Sequence, residues 1–173
     1  MIDPRKIKFK FNLSGDNLRR ETFYLETFSG YDTIVELGVA QGQTSKIFLK
    51  CAKNVIGVDI GAYQVNLQEM YDFAEKHNSK YTYINDDDLL IEPIDCDILF
   101  VDSDHTEEHV YAQLKKYSPH VKTYIALHDI NPSTFGGSVL RGYERWYNEC
   151  GNDWEEYYRD YDRCGLLVIK RKS

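Results

Sequence analysis

Five short strand-like segments restrict the fold of this chain more than any other feature. A helix-like stretch follows each of the first two and each of the last two segments. They are TIVEL (33–37), NVIGVD (54–59), KYTYIN (80–85), DILFVD (97–102) and TYIALHD (123–129). Nearly continuous apolar strands that alternate with helices are typical of a parallel sheet covered on both faces. The pattern predicts an α/β, doubly wound, mostly parallel sheet.

Both ends of the chain depart from this rhythm. DWEEYYRDY (153–161) and CGLLVIKRK (164–172) have no helix between them, so they predict a terminal hairpin that places an antiparallel strand in the sheet. KIKFKFNL (6–13) alternates strictly, which predicts a strand with one buried face and lysines suited to an exposed edge or to pairing with another subunit. The stretch 14–30 predicts a short helix that begins at Ser14 or Asp16 and ends at Gly30.

Size and composition limit the classes of protein that fit. The 173 residues suit one domain, 1–173, in which we expect 1–30 to act as a lid or a dimer element. A net charge of −7 argues against broad binding to nucleic acid or anionic membrane. No apolar stretch approaches a membrane span of about 20 residues, and no apolar signal core is present at the N-terminus. The four scattered cysteines read as free thiols. We therefore expect a cytoplasmic protein.

Small and acidic residues follow the first three predicted strands, where a doubly wound sheet binds its ligand. Gly38, Ala40 and Gly42 leave the first turn without bulky side chains, so a ligand can approach the backbone and the next helix N-terminus. Asp59 ends the second strand, where a carboxylate can accept both ribose hydroxyls of a nucleoside. The spacing G-x-A-x-G is not the dinucleotide fingerprint G-x-G-x-x-G. Tight turning explains each glycine alone, and helix capping explains Asp59 alone. The joint pattern of these residues favours a nucleoside site.

The segments VELGVAQGQTS, VIGVDIG and YINDDD resemble three motifs of the class I S-adenosylmethionine-dependent methyltransferases. The resemblance extends from about Tyr31 to Ile169 and implies a Rossmann-like, seven-stranded sheet whose last strand is antiparallel. It also implies S-adenosylmethionine as the cofactor, with Asp59 on the ribose, the Gly38–Gly42 loop facing the methionine part and Asp86 or Asp87 near the adenine amine. The full set of cofactor-binding candidates is Glu36, Gly38, Ala40, Gly42, Thr44, Asp59, Asp86 and Asp87.

The stretch VDSDHTEEH (101–109) concentrates ionisable residues directly after the most apolar strand. Asp102 ends the fourth strand, and His128 and Asp129 end the fifth, so these side chains can converge on one divalent ion. Two carboxylates suit Mg²⁺, whereas an added imidazole favours Mn²⁺, Fe²⁺ or Zn²⁺. A metal lowers the pKa of a bound hydroxyl, and His105 is the candidate base. Asp102 and His105 are thus the catalytic candidates, and Asp102, His128 and Asp129 the metal ligands.

DILFVDSDHTEEHV and YIALHDINP resemble the metal-dependent small-molecule O-methyltransferases, in particular the antibiotic- and sugar-tailoring branch grouped with cephalosporin hydroxylase-like proteins. Catechol-type members carry a lysine base where His105 stands and an Asp-Asn pair where His128 and Asp129 stand. The identity of the metal and of the base therefore stays open. The resemblance implies transfer of a methyl group to a hydroxyl of a small molecule, with a sugar or a sugar-bearing metabolite as the leading candidate.

Simpler roles fit the neighbouring polar residues and the aromatic residues. Asp104 and Thr106 suit helix N-caps, Glu107 and Glu108 suit a first helical turn, and His109 is expected on the helix surface. The C-terminal aromatic residues are interpreted as packing. We expect a homo-oligomer with a small-molecule substrate. The alternatives are a non-catalytic S-adenosylmethionine-binding protein, a nicotinamide-dependent oxidoreductase and, less consistent with the acidic charge, a nucleic-acid methyltransferase.

Overall fold

The computed structural model describes residues 20–173; the strand predicted over 6–13 and the proposed helix starts at Ser14 and Asp16 lie outside this range. The strands are β1 (Thr33–Leu37), β2 (Asn54–Asp59), β3 (Lys80–Asn85), β4 (Cys96–Val101), β5 (Val121–His128), β6 (Trp154–Asp160) and β7 (Leu166–Arg171). The α-helices are α1 (Glu21–Phe28), α2 (Gln43–Cys51), α3 (Leu67–Lys76), α4 (Glu107–Tyr117) and α5 (Ser138–Cys150). Short 3₁₀ turns occupy Ser118–His120, Phe135–Gly137 and Gly151–Asp153.

All seven described strands form one mixed sheet in the order β3-β2-β1-β4-β5-β7-β6. The first five strands are parallel, and β7 is antiparallel to both of its neighbours, β5 and β6. The predicted fold class, a doubly wound sheet closed by a C-terminal antiparallel hairpin, is confirmed. β5 begins at Val121, two residues before the predicted start, because Val121 pairs with Cys96 of β4.

Helices cover both faces of the sheet, which explains why the central strands are mostly apolar. Along β1, Ile34 packs into the core on one face and Val35 into the core on the other. The first core includes Phe48 of α2, and the second includes Leu114 of α4 and Trp146 of α5. Trp146 is fully buried, whereas Tyr157 and Tyr161 are exposed, so the interpretation of the C-terminal aromatic residues as packing holds for part of them. No helix within residues 20–173 is long and apolar enough to cross a membrane.

The strand order reverses between β1 and β4, and this topological switch point defines where a ligand can bind. From β1 the chain moves outward through β2 and β3, and it then returns to place β4 on the other side of β1. The carboxyl ends of β1 and β4 are level, because Leu37 lies opposite Val101. Val101 in turn lies opposite Leu127, so Asp102 and His128 leave the sheet side by side. Crevices of this kind are the usual ligand sites of open α/β sheets.

Candidate active site

A cavity of about 880 Å³ lies over this edge of the sheet. Its volume falls in the range of about 300–1,000 Å³ that is usual for small-molecule sites. The walls come from the loops that follow β1, β2, β3, β4 and β5, together with the first turn of α4. The lining includes Gly38, Ala40, Asp59, Ile60, Tyr63, Asp86, Asp87, Asp88, Asp102, Ser103, His105, His109, Phe135 and Ser138.

The loop after β1 is pressed against the end of β4 at Gly38. This residue has a φ of +88°, and a Cβ there would lie 2.1 Å from the carbonyl oxygen of Asp102. Its N–H donates to the carbonyl oxygen of Val58 at 2.9 Å. A glycine is therefore required both by the backbone conformation and by the close approach of another chain segment. The loop that faces the cavity and the first metal-ligand candidate are in direct contact.

Asp59 holds this loop with its side chain. Oδ2 accepts hydrogen bonds from the backbone N–H groups of Val39 at 2.8 Å and Ala40 at 3.0 Å, and Oδ1 accepts one from Gly61 at 2.7 Å. A carboxylate has about four acceptor positions. The predicted ribose ligand thus also shapes the loop below it, and it retains limited capacity for further donors.

Three of the cofactor candidates lie outside the lining of the cavity: Glu36, Gly42 and Thr44. Glu36 is 1% exposed and accepts a hydrogen bond from the Ser45 hydroxyl. Burial raises the pKa of Glu36 well above its usual range; the Ser45 bond opposes this shift, and the negative charge of Asp102 adds to it. Glu36 therefore lies beneath the loop, as a buried partner of α2. Its pairing with Ser45 is a contact that the sequence pattern did not indicate.

The acidic run after β3 divides into two parts. Asp86 and Asp87 line the cavity, and their place near a nucleobase stays a prediction. Asp88 is only 6% exposed, and its Oδ1 lies 2.9 Å from Nε2 of His109. The expectation that His109 lies on the helix surface is wrong, because the β3–β4 loop folds over the first turn of α4 and covers it. A third aspartate followed by apolar residues was the only sequence signal for this pair.

Two histidines and two aspartates meet at the ends of β4 and β5. Nε2 of His105 lies 2.8 Å from Oδ2 of Asp129 and 3.5 Å from Oδ1 of Asp102. Nδ1 of His128 lies 3.1 Å from the same oxygen of each aspartate. Each carboxylate therefore contacts both imidazoles. The predicted convergence of Asp102, His128 and Asp129 agrees with these positions, and His105 joins them; the roles of all four stay predictions.

The environment of His105 favours its protonated form. Burial lowers its pKa, but the contacts with Asp102 and Asp129 outweigh burial and raise the pKa from 6.5 to about 9. Burial likewise opposes ionisation of Asp129, and the contacts with His105 and His128 overcome it, so the pKa of Asp129 lies well below its usual value. The ring of His105 stacks on Phe135, with centroids 3.9 Å apart and planes 8° apart. Phe135 thus fixes the plane of an imidazole that carries a proton.

The donor atoms fit a divalent cation. One oxygen of Asp102, one of Asp129 and one ring nitrogen of His105 all lie within 4.8 Å of one another. Carboxylate oxygens with one imidazole suit Mn²⁺, Fe²⁺ or Zn²⁺ at least as well as Mg²⁺. Nε2 of His105 is buried and has no aligned hydrogen bond to either carboxylate, which is compatible with a nitrogen that faces a cation. Among residues 20–173, a second group with equally close donor atoms consists of His128, Asp129 and Cys164, and the sequence analysis did not select Cys164.

The pKa of His105 predicts how the stability of the metal-free protein depends on pH. The folded value of about 9 lies above 6.5, so protonated His105 stabilises the fold fully below about pH 6.5 and progressively less up to about pH 9. We expect His105→Gln to lower the free energy of unfolding by about 2 kcal/mol at pH 6 and by much less at pH 9.5. Urea unfolding of both proteins at the two pH values measures this. An equal loss at both values would show that His105 is not held as an imidazolium.

Comparisons with known proteins place the fold in one class. No protein-family model and no curated protein matches this sequence. Among solved structures, the ribosomal protein L11 methylase of Lactobacillus delbrueckii subsp. bulgaricus is similar, with a TM-score of 0.67 and 15% identity over 92% of this chain and 81% of that one. The N-methyltransferase NodS of Bradyrhizobium japonicum gives 0.62 and 13% over 90% of this chain and 96% of that one.

A third similar structure contains a bound ligand. Magnesium protoporphyrin IX methyltransferase of Synechocystis, solved with bound SAH (S-adenosylhomocysteine), gives a TM-score of 0.59 and 13% identity over 90% of this chain and 81% of that one. Identities this low show a shared fold. The chain therefore has the Rossmann-like fold of methyltransferases, with a mostly parallel seven-stranded sheet and its antiparallel C-terminal strand.

Proposed function

We propose that this chain is an S-adenosylmethionine-dependent O-methyltransferase that acts on a hydroxyl of a small molecule and uses a divalent metal. The observation that carries the proposal is that one cavity joins two kinds of site. The Gly38 loop, Asp59, Asp86 and Asp87 form its nucleoside end, and the Asp102–His105 cluster forms its reactive end. A donor and an acceptor can meet only where both ends open into the same space.

The donor is the best supported part of the proposal. The fold is that of methyltransferases, and one protein with this fold was solved with bound SAH. Asp59 stands at the end of β2 with its carboxylate turned to the cavity loop, as a ribose ligand requires. A nicotinamide-dependent oxidoreductase is less consistent, because G-x-G-x-x-G is missing after β1.

A small, neutral or cationic acceptor suits the cavity better than a nucleic acid does. Carboxylates crowd the walls, the chain carries a net charge of −7, and a polyanion would be repelled at such a mouth. Exposed Ile60, Tyr63 and Phe135 offer apolar surface at the rim, against which a sugar or another ring can pack. The two other similar methylases carry names with different acceptors, so the fold itself does not select one. A homo-oligomer that completes the acceptor site, in the cytoplasm, is part of the same proposal.

Methyl transfer needs an oxygen nucleophile in line with the sulfonium. The hydroxyl oxygen forms a bond to the methyl carbon, the carbon–sulfur bond breaks to leave a neutral thioether, and the hydroxyl proton passes to a base. A bound divalent cation would make the hydroxyl more acidic. Asp102 and Asp129 would hold that cation, and their charges would then no longer be available to keep a proton on His105. His105 Nε2, held in plane by Phe135, would become free to accept the hydroxyl proton.

Calorimetric titration with SAH tests the donor site first. We expect binding in the micromolar range, and we expect Asp59→Ala to weaken it by about tenfold or more, since both charge-assisted acceptors and the loop anchor are lost. Asp72→Ala is the matched control, because Asp72 lies on α3 outside the cavity lining and its side chain accepts a hydrogen bond from Gln68 in the same helix. Absence of binding to the wild-type protein would refute the methyltransferase proposal. Binding of a nicotinamide cofactor in its place would favour the oxidoreductase.

A further inference from the structure

A thiol lies beside the two residues at the end of β5, and the proposed chemistry does not use it. One ring nitrogen of His128, one carboxylate oxygen of Asp129 and the sulfur of Cys164 all lie within 4.8 Å of one another. Cys164 comes from the turn between β6 and β7, and none of the three residues belongs to the lining of the cavity. Tertiary folding therefore brings together a group of donor atoms that is distinct from the cavity wall.

The turn that carries Cys164 is fixed against the residues that follow β5. The backbone N–H of Asn131 donates to the carbonyl oxygen of Cys164 at 2.8 Å. The side-chain amide of Asn131 donates to the carbonyl oxygens of Tyr161 and Arg163, both at 2.6 Å. Because Asn131 stands two positions after Asp129, these hydrogen bonds hold the turn next to that carboxylate.

The residues after Cys164 add to this rigidity. Gly165 has a φ of +83°, and a Cβ there would lie 2.8 Å from the backbone nitrogen of Asn131, so the two segments are in close contact. Leu166 pairs with His128 in the antiparallel ladder between β5 and β7. The sheet and the turn thus set the positions of the thiol and the imidazole, as a metal site on a rigid scaffold requires.

The separations of the donor atoms fit a small tetrahedral cation. Bonds of about 2.0–2.2 Å from Zn²⁺ to nitrogen or oxygen, and of about 2.3 Å to sulfur, place its ligand atoms roughly 3.3–3.8 Å apart. The limit of 4.8 Å exceeds this range by about 1 Å, which rotation of a side chain can remove. His128 and Asp129 are each 6% exposed and Cys164 is partly exposed, so water can occupy a fourth position on the side of the sulfur.

The sulfur distinguishes this group from the group of Asp102, His105 and Asp129. Asp129 is common to both, so the ligands that differ determine which cation each group prefers. Oxygen ligands suit Mg²⁺ and Mn²⁺, whereas a thiolate favours softer cations such as Zn²⁺. The two groups therefore differ in the metals that they select.

We propose that His128, Asp129 and Cys164 form a second metal site, which binds thiophilic divalent cations such as Zn²⁺. The thiol of Cys164 loses its proton to solvent as the bond between sulfur and cation forms. Mg²⁺ and Mn²⁺ remain with Asp102 and Asp129. This site can bind a cation whether or not the chain transfers methyl groups, so it is independent of the proposed function.

Titration of the reduced protein with Co²⁺ tests the site, because a bond from cobalt to a thiolate gives a charge-transfer band in the near ultraviolet that oxygen and nitrogen ligands do not give. We expect this band in the wild-type protein at equimolar Co²⁺ and its loss in Cys164→Ser. Cys150→Ser is the matched control and should keep the band, since Cys150 is an exposed cysteine at the end of α5 and belongs to neither group. A wild-type protein without the band, or a band that persists in Cys164→Ser, would overturn the proposal.

His128→Gln separates a site with three ligands from a single reactive thiol. The band should remain because the sulfur is still present, but the affinity for Co²⁺ should fall at least about tenfold, since even partners beyond the ligands contribute about 10–100-fold to metal affinity. Unchanged affinity in folded His128→Gln would show that Cys164 binds the cation alone, and the three-residue site would then be wrong.

Alkylation of the wild-type protein gives a second measurement that needs no variant. Iodoacetamide reacts with the thiolate, so bound Zn²⁺ should slow modification of Cys164 at least about tenfold, whereas Mg²⁺ should not. Cys150 in the same protein is the internal control, and mass spectrometry of peptides reports both positions. Equal rates at Cys164 with and without Zn²⁺ would contradict the site. If that result accompanies normal SAH binding, the proposed function stands and the second metal site alone fails.

Discussion

Replacing Gly38 by alanine is expected to abolish SAH binding and to lower the free energy of unfolding by about 3 kcal/mol or more. The new Cβ would lie 2.1 Å from the carbonyl oxygen of Asp102 and 2.7 Å from Cα of Ser103, so one of the two chain segments must move. Backbone cannot yield as a flexible side chain can, and the φ of +88° adds strain for any residue with a Cβ. Because the displaced segment carries Asp102, the change should disturb both ends of the cavity.

Gly42→Ala is the matched control for this prediction. Gly42 also has a positive φ, +78°, but its Cβ would meet the Met70 sulfur at 2.9 Å, the end of a flexible side chain that can move aside. We expect a cost of about 1 kcal/mol, nearly all from the backbone, and SAH binding close to that of the wild type. Denaturant unfolding and calorimetric titration of both variants measure the two effects. Equal losses in both variants would show that the contact between Gly38 and Asp102 does not matter for the site.

Asp129→Asn is expected to lower methyl transfer by at least about a hundredfold and to remove the heat of Mn²⁺ or Mg²⁺ binding, with SAH affinity retained. Asp129 contacts both imidazoles, so its charge is needed both to hold a cation and to position His105 and His128. The residue has a φ of +59°, a conformation that asparagine also tolerates, so the substitution tests the charge and leaves the backbone unstrained.

Cys164→Ser distinguishes the two groups of donor atoms that share Asp129. If Asp102 and Asp129 hold the cation and His105 is the base beside it, this variant should keep both the heat of metal binding and the activity. Loss of metal binding in Cys164→Ser would place the cation at His128, Asp129 and Cys164, and would assign His105 to another role. Methyl transfer that is unchanged in Asp129→Asn and in Asp102→Ala would contradict the metal proposal as a whole, whereas SAH binding with no methyl transfer by the wild-type protein would favour a binding protein without this chemistry.

The strands were predictable because their signal is local and strong. The segments TIVEL and NVIGVD correspond to β1 and β2 residue for residue, since strands covered on both faces are apolar at most positions. The convergence of Asp102 with Asp129 followed from parallel neighbours that end at the same edge of the sheet. The hairpin followed from the missing helix between its two strands. The strand predicted over 6–13 lies outside the described residues and stays a prediction.

The pairings inside the site were not predictable to the same degree, because they depend on the path of loops and on burial. Glu36 was selected as a cofactor-binding candidate; it is buried against Ser45 and lies outside the cavity lining, and its role stays a prediction. His109 was expected on the surface, but the loop after β3 folds over it and places Asp88 against its ring. Residue spacing within one segment contains no information about a loop that arrives from another.

The sequence by itself determined the class of fold, the edge of the sheet at which a ligand binds and most of the residue types collected there, since hydrophobic periodicity and parallel strand order act over short, regular distances. Only the tertiary structure decided which acid faces which imidazole. Contacts of about 3 Å between charged groups form once separate loops have closed over them, and for His105 these contacts outweigh the loss of water, which by itself lowers its pKa. His105, with a pKa near 9 between Asp102 and Asp129, owes its protonated state to that closure.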